Sequence, residues 1–148
     1  MAVLVVAPVL VLPKLFGGSD EERGREPGIV LRQPERPTGL AVGGRPLFPL
    51  AAGSLARHAG QRVEGETAVL ALVSPSGFWV GTEDDGQRVL VRQPREPVVV
   101  TEGAPVVLVG RIQALPADFA ARFGISGGDA DLVRRQGHYI EASRVRLV

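Results

Sequence analysis

Cysteine is absent from these 148 residues, lysine occurs once, and tryptophan and tyrosine occur once each. Without cysteine there is no disulfide, no thiolate nucleophile and no cysteine-based metal site. Histidine is limited to His58 and His138, and neither has a carboxylate at a recognised metal-ligand spacing. His138 therefore reads as a structural or surface group. Charge of one sign is also missing. Seventeen basic against 16 acidic residues leave a formal net charge of +1, so no global field draws the chain to nucleic acid or anionic lipid. Catalytic signatures are equally scarce. Gly53-Ser54-Leu55 lacks the flanking glycines of a nucleophile elbow, and Gly124 to Asp129 lacks the lysine and spacing of a phosphate-binding loop. Glu83-Asp84-Asp85-Gly86 lacks the spaced oxygen ligands of a calcium loop and reads as a turn. No enzyme activity, metal or cofactor is expected.

What the chain has in quantity is glycine, 19 residues, and proline, 12, alongside 45% hydrophobic content. That mixture favours a turn-rich β protein with one core over a helical bundle. Every basic residue except Lys14 is arginine. The excess reads first as the codon bias of a GC-rich genome and second as an arginine-based binding surface.

Three stretches differ in composition. Residues 1–16 are uncharged apart from Lys14 and rich in valine and leucine. A bilayer-spanning helix needs about 20 residues, and this run is shorter and holds Pro8 and Pro13. It is read as the end of a membrane anchor whose start is missing, with an extra strand or a disordered tail as alternatives. Residues 17–46 mix both charge signs with glycine and proline and read as a linker. Within it, only Ile29-Val30-Leu31 and Leu40-Ala41-Val42 have the character of short edge strands. Residues 47–148 are the expected folded domain.

Inside that domain, Pro49 to Ala59 is read as a short helix stopped by Gly60. A long first strand follows, Arg62 to Val73, with Val63, Gly65, Thr67, Val69, Ala71 and Val73 on one face. Leu70 and Leu72 predict that its second half is buried on both sides, and Gly65 is the expected bend. Strand two is Phe78 to Thr82 and strand three Gln87 to Gln93, joined by a glycine-containing hairpin turn. After an extended Pro94–Gly103 connection, strand four covers Pro105 to Ala114. Helices are expected at 116–122 and 129–136, with Ser126 or Asp129 as caps and Gly137 as the stop. The last strand changes parity, since Ile140 and Ala142 alternate one way and Val145 and Leu147 the other. A β-bulge near Ser143 would turn all four inward and leave Tyr139, Glu141, Arg144 and Arg146 outside.

Phe78-Trp79-Val80-Gly81 with Asp84 to Val91, then Glu102 to Arg111, then Tyr139 to Leu147, resemble the oligonucleotide/oligosaccharide-binding barrel, the OB-fold. The outline also resembles uncharacterised membrane-anchored bacterial proteins of that architecture. The resemblance covers Gly60 to Val148. It implies an all-β domain with minor helix: a five-stranded OB-like barrel with a helical insertion between strands four and five, preceded by an extended N-terminal tail. It also implies a ligand face on strands two and three; Trp79, Arg88 and Arg92 there, with Arg111 of strand four and Tyr139 of the last strand, are the candidate ligand-binding residues. A bland reading stands beside it, with Phe78 or Trp79 in the core and the arginines solvated and paired with Glu83, Asp84 or Glu141. The expected function is a non-enzymatic binding module, membrane-tethered and extracytoplasmic, that takes a protein partner or small polar ligand. The alternative is a cytoplasmic single-stranded nucleic-acid-binding protein.

Overall fold

Alternating apolar residues between glycine- and proline-rich turns drive this chain into strands, and the computed structural model describes them over residues 39–148. The apolar start and most of the linker, residues 1–38, lie outside the described residues. The described residues are mostly β, with three short helices. Strand β1 (Gly39–Val42) and the two-residue β2 (Arg45–Pro46) precede helix α1 (Ser54–Arg57), β3 (Arg62–Ala68) and β4 (Ala71–Ser74). Strand β5 (Gly77–Gly81) leads through a 3-10 turn (Asp85–Gln87) to β6 (Arg88–Arg92) and then β7 (Pro105–Ala114). Helices α2 (Phe119–Phe123) and α3 (Gly127–Gln136) come before the last strand, β8 (His138–Leu147). All the described strands join one sheet in the order β2-β1-β3-β7-β8-β6-β5-β4, which is not closed. Pairing is antiparallel except between β6 and β8.

The long first strand is interrupted at Val69 and Leu70, which separate β3 from β4. Val69 N–H donates to the Ala104 carbonyl (2.9 Å), whereas Leu70 N–H donates to that of Trp79 (2.8 Å). Neighbouring residues thus bond toward different strands, the start of β7 and β5, so β3 and β4 are consecutive in the chain although four strands separate them in the sheet order. The turn in direction is here, not at Gly65. Gly65 has φ +145°, and a Cβ there would overlap the Gly39 carbonyl oxygen. Its lack of a side chain admits β1, which pairs with β3 and buries Leu40 and Val42. Residues 39–46, the end of the stretch that reads as a linker, are therefore part of the sheet. Leu72 is 48% exposed. It lies on the edge strand β4, so the second half of the first strand is not buried on both sides.

Two apolar clusters sandwich the sheet. Val63, Phe78, Val80, Val91, Leu108 and Ile140 belong to the inner one. Trp79, Leu90 and Tyr139 belong to the outer one, where Phe119, Phe123 and Val133 of the helical insertion cover them. Period-two alternation sends Phe78 and Val80 inward and Trp79 outward. Both faces of β5 are covered, which is why Gly77, Phe78, Trp79 and Val80 are all buried. Tyr139, expected outside, is also buried. It does point away from the inner cluster, but the insertion lies over it.

The bulge falls where the parity change places it. Val109 pairs with Arg144 and Gly110 with Ala142, leaving Ser143 as the extra residue. Ile140, Ala142 and Val145 are buried, while Leu147, paired with Val106 at the strand end, is 53% exposed. The early helix is confined to Ser54–Arg57 instead of starting at Pro49. Helix α3 starts at Gly127 with no side-chain cap from Ser126, and Gly137 ends it at φ 71°. Asp129 serves another purpose: its Oδ1 accepts the Trp79 Nε1–H at 2.9 Å. Among the described residues, no helix is long and apolar enough to cross a membrane.

Candidate functional site

Strand register builds the most distinctive polar feature of the surface. Arg62 of β3 is opposite Arg111 of β7, Arg111 is opposite Glu141 of β8, and Glu141 is opposite Arg92 of β6. Residues directly opposite point to the same side of a sheet. The four side chains therefore form one row across four adjacent strands, roughly 14 Å long at ordinary strand spacing. Gly77, opposite Arg92, ends it. Their chain neighbours Val63, Gly110, Ala142 and Val91 face the inner core, which fixes the row on the outer side.

The row begins where the helical cover stops. Phe123 and Tyr139 pack with ring centroids 5.0 Å apart, and the Arg92 guanidinium sits 4.6 Å from the Phe123 centroid. Glu141 Oε1 accepts the Tyr139 hydroxyl at 2.6 Å, and its Oε2 lies 3.6 Å from Arg92 Nη1. Both charged groups are about a third exposed or more (32% and 40%), so the pair contributes about 0–1 kcal/mol. Arg111 Nη1 donates to the Gly60 carbonyl at 2.9 Å, and Arg62 is held by Glu64 at 2.8 Å.

Above the row runs the extended connection after β6. Gln93 is buried, and its amide bonds both the N–H and the carbonyl of Val98, each at 3.0 Å. That clasp pins the turn carrying Arg95, which is exposed and has no side-chain partner among the described residues. Two grooves of about 460 Å³ each flank this turn and share Pro94, Arg95 and Glu141. Arg92 lines one of them, and Arg62 and Arg111 line the other.

Of the five residues assigned from sequence, Arg92, Arg111 and Tyr139 come together here. Trp79 and Arg88 lie elsewhere. Arg88 begins β6, four residues from Arg92 and so about 13 Å along the strand. Its side chain bonds the Glu83 carbonyl and lies 5.8 Å from the Trp79 ring centroid. Trp79 is 1% exposed, which leaves no ring face for a ligand to stack on. Arg62, Arg95 and the central position of Glu141 were missed. Arg62 and Glu141 are 79 positions apart, and only the pairing registers bring them together.

Burial, the hydrogen bond to Glu141 and the Glu141 charge, in that order, push the Tyr139 hydroxyl up to about 12, with Arg92 and Arg122 opposing. The folded state therefore keeps a proton that the unfolded chain releases near pH 10. Stability from this group is complete below about pH 10 and falls as pH rises toward 12. Tyr139 is the only tyrosine. Titrated by phenolate absorbance, native protein should ionise well above free tyrosine, and Glu141→Gln should move the midpoint down. A native midpoint near 10 would show that the hydroxyl is not enclosed.

Among the described residues, no group of three or more His, Asp or Glu is placed to hold a metal ion. The fold and the row together define a single-sheet β protein with a helix-covered face and an adjoining arginine-rich groove. Compared with known proteins, the chain matches no family model and no curated protein.

Proposed function

We propose that residues 39–148 form a non-enzymatic binding module of the OB type, which contacts a protein partner through the Arg62–Arg111–Glu141–Arg92 row. With β3 and β4 taken as one bent strand, the sheet from β3 to β8 has five strands, and an OB barrel is itself partly open. The break at Val69–Leu70 and the bulge at Ser143 support that reading. The usual OB ligand face lies on strands two and three, which here are β5 and β6. Helices α2 and α3 cover that face by packing on Trp79 and Leu90. The open outer surface beside them is the arginine row, and this displacement of the accessible face is the observation that carries the proposal.

The runner-up, single-stranded nucleic acid, needs aromatic platforms beside a basic groove. Five of the six described aromatic residues are buried, and the sixth, Phe48, is half-buried against the inner cluster. In a calorimetric titration of the full chain, a short oligothymidylate should bind weakly at roughly 50 mM salt and not measurably at 200 mM. Tight binding with a steep salt slope, lost in Arg111→Gln, would reverse the choice. The apolar start and charged stalk motivate placing the module on the extracytoplasmic side of a membrane. Fractionation of the natural gene product should then leave it in the membrane pellet, and a wholly soluble product would remove the tether.

A further inference from the structure

Glu141 is the exception in the row, a carboxylate with an arginine register partner on each side. Among the described residues its side chain has one hydrogen bond, the 2.6 Å one from Tyr139. The 3.6 Å approach of Arg92 is longer than a charge-assisted hydrogen bond. Arg92 Nε is enclosed without a hydrogen-bond partner among the described residues, and Arg95 has no side-chain partner there either. Arg62 and Arg111 stand directly opposite each other, a like-charge pairing that opposes sheet formation. Arg92 and Arg95 thus keep donor capacity beside a negative position that Glu141 only partly fills, while Arg62 and Arg111, held by Glu64 and the Gly60 carbonyl, extend the positive charge along the row.

Resting on the reading of the row as a binding face, we propose that its ligand is an extended acidic peptide segment, and that Glu141 holds the place of one ligand carboxylate. An extended chain advances about 3.3 Å per residue and presents alternate side chains about 7 Å apart. Three to five residues therefore suffice to set carboxylates along the row. The grooves of about 460 Å³ on either side of the Arg95 turn lie within the usual range for ligand sites. Among the described residues bases would find no exposed ring to stack on, whereas carboxylates require only guanidinium donors, which they engage through two parallel hydrogen bonds.

The test is calorimetric titration of the full chain with hexaglutamate, an oligothymidylate of equal charge, and inorganic phosphate. Glu141→Gln removes the resident charge but keeps an acceptor for the Tyr139 hydroxyl. It should bind hexaglutamate about fivefold more tightly than the parent chain. Arg111→Gln and Arg95→Gln should each bind it about fivefold more weakly. Arg95 lies on an exposed turn with no side-chain partner among the described residues, so its variant separates binding from folding, and thermal unfolding of each variant checks this directly. Unchanged or weaker binding in Glu141→Gln would make Glu141 a support for Tyr139 and overturn the proposal. Equal binding of oligothymidylate or phosphate would overturn the peptide assignment. A photo-crosslinker placed at residue 95 in the natural host tells the two readings apart. A specific adduct with no hexaglutamate binding rejects the acidic ligand alone; absence of both rejects the binding face as well.

Discussion

Trp79→Ala should lower the unfolding free energy by about 4 kcal/mol, read as a lower denaturant midpoint with an unchanged slope. Trp79 is 1% exposed and belongs to the outer cluster with Leu90, Phe119, Phe123 and Val133. Truncating it empties the space between β5 and the insertion, which neighbours fixed by the sheet cannot refill. It also removes the donor to Asp129, whose carboxylate loses its 2.9 Å partner. A loss below about 1 kcal/mol would mean that α2 and α3 are not packed on β5, and the helix-covered face would have to be abandoned. The size of the effect also disqualifies this variant as a probe of ligand contact, since any loss of binding would follow from unfolding. Arg95→Gln and Arg111→Gln are the informative substitutions.

The second large effect is expected from a single methyl group. Gly110 is opposite Ala142, beside the bulge, and its backbone is not in the left-handed region. Sterics alone therefore decide the outcome. A Cβ there would lie 2.5 Å from the Glu141 carbonyl oxygen and 2.9 Å from Ala142 Cα. Both are backbone atoms, and neither can retreat unless β7 and β8 part. Gly110→Ala should cost about 3 kcal/mol in equilibrium unfolding. Since Arg111 and Glu141 flank the clash, hexaglutamate binding should weaken in the fraction that remains folded. A cost within about 0.5 kcal/mol would show that the two strands do not approach this closely at the bulge.

Strand β7 was legible to its ends, because Gly103 and Pro105 mark its start and valines alternate along it. The bulge was legible too, since a switch of parity within one strand has few other causes. The outer cluster was not. A period-two pattern separates two faces but does not say whether the second meets water or another apolar layer. The usable signal was in Phe78-Trp79-Val80, which has no polar residue between its apolar ones, together with Phe119, Phe123 and Val133 in an insertion that needed somewhere to pack. Trp79 and Tyr139 were assigned to an exposed ligand face for that reason. The interruption at Val69–Leu70 was hidden by uninterrupted apolar character, which reads equally well as one continuous strand. Arg92 and Arg111 could be picked out singly, but their alignment with Arg62 and Glu141 depends on three separate pairing registers, and sequence spacing specifies none of them.

The placement of the two rarest rings has a practical consequence. The only tryptophan and the only tyrosine both lie between the insertion and the sheet, and neither is in the inner cluster. Intrinsic emission from this protein therefore reports on that outer layer, with the buried indole giving a blue-shifted spectrum while the layer is closed. A red shift that precedes loss of far-ultraviolet strand signal marks undocking of the helices from a sheet that is still intact, so two optical channels follow the two layers of one small domain without any added label.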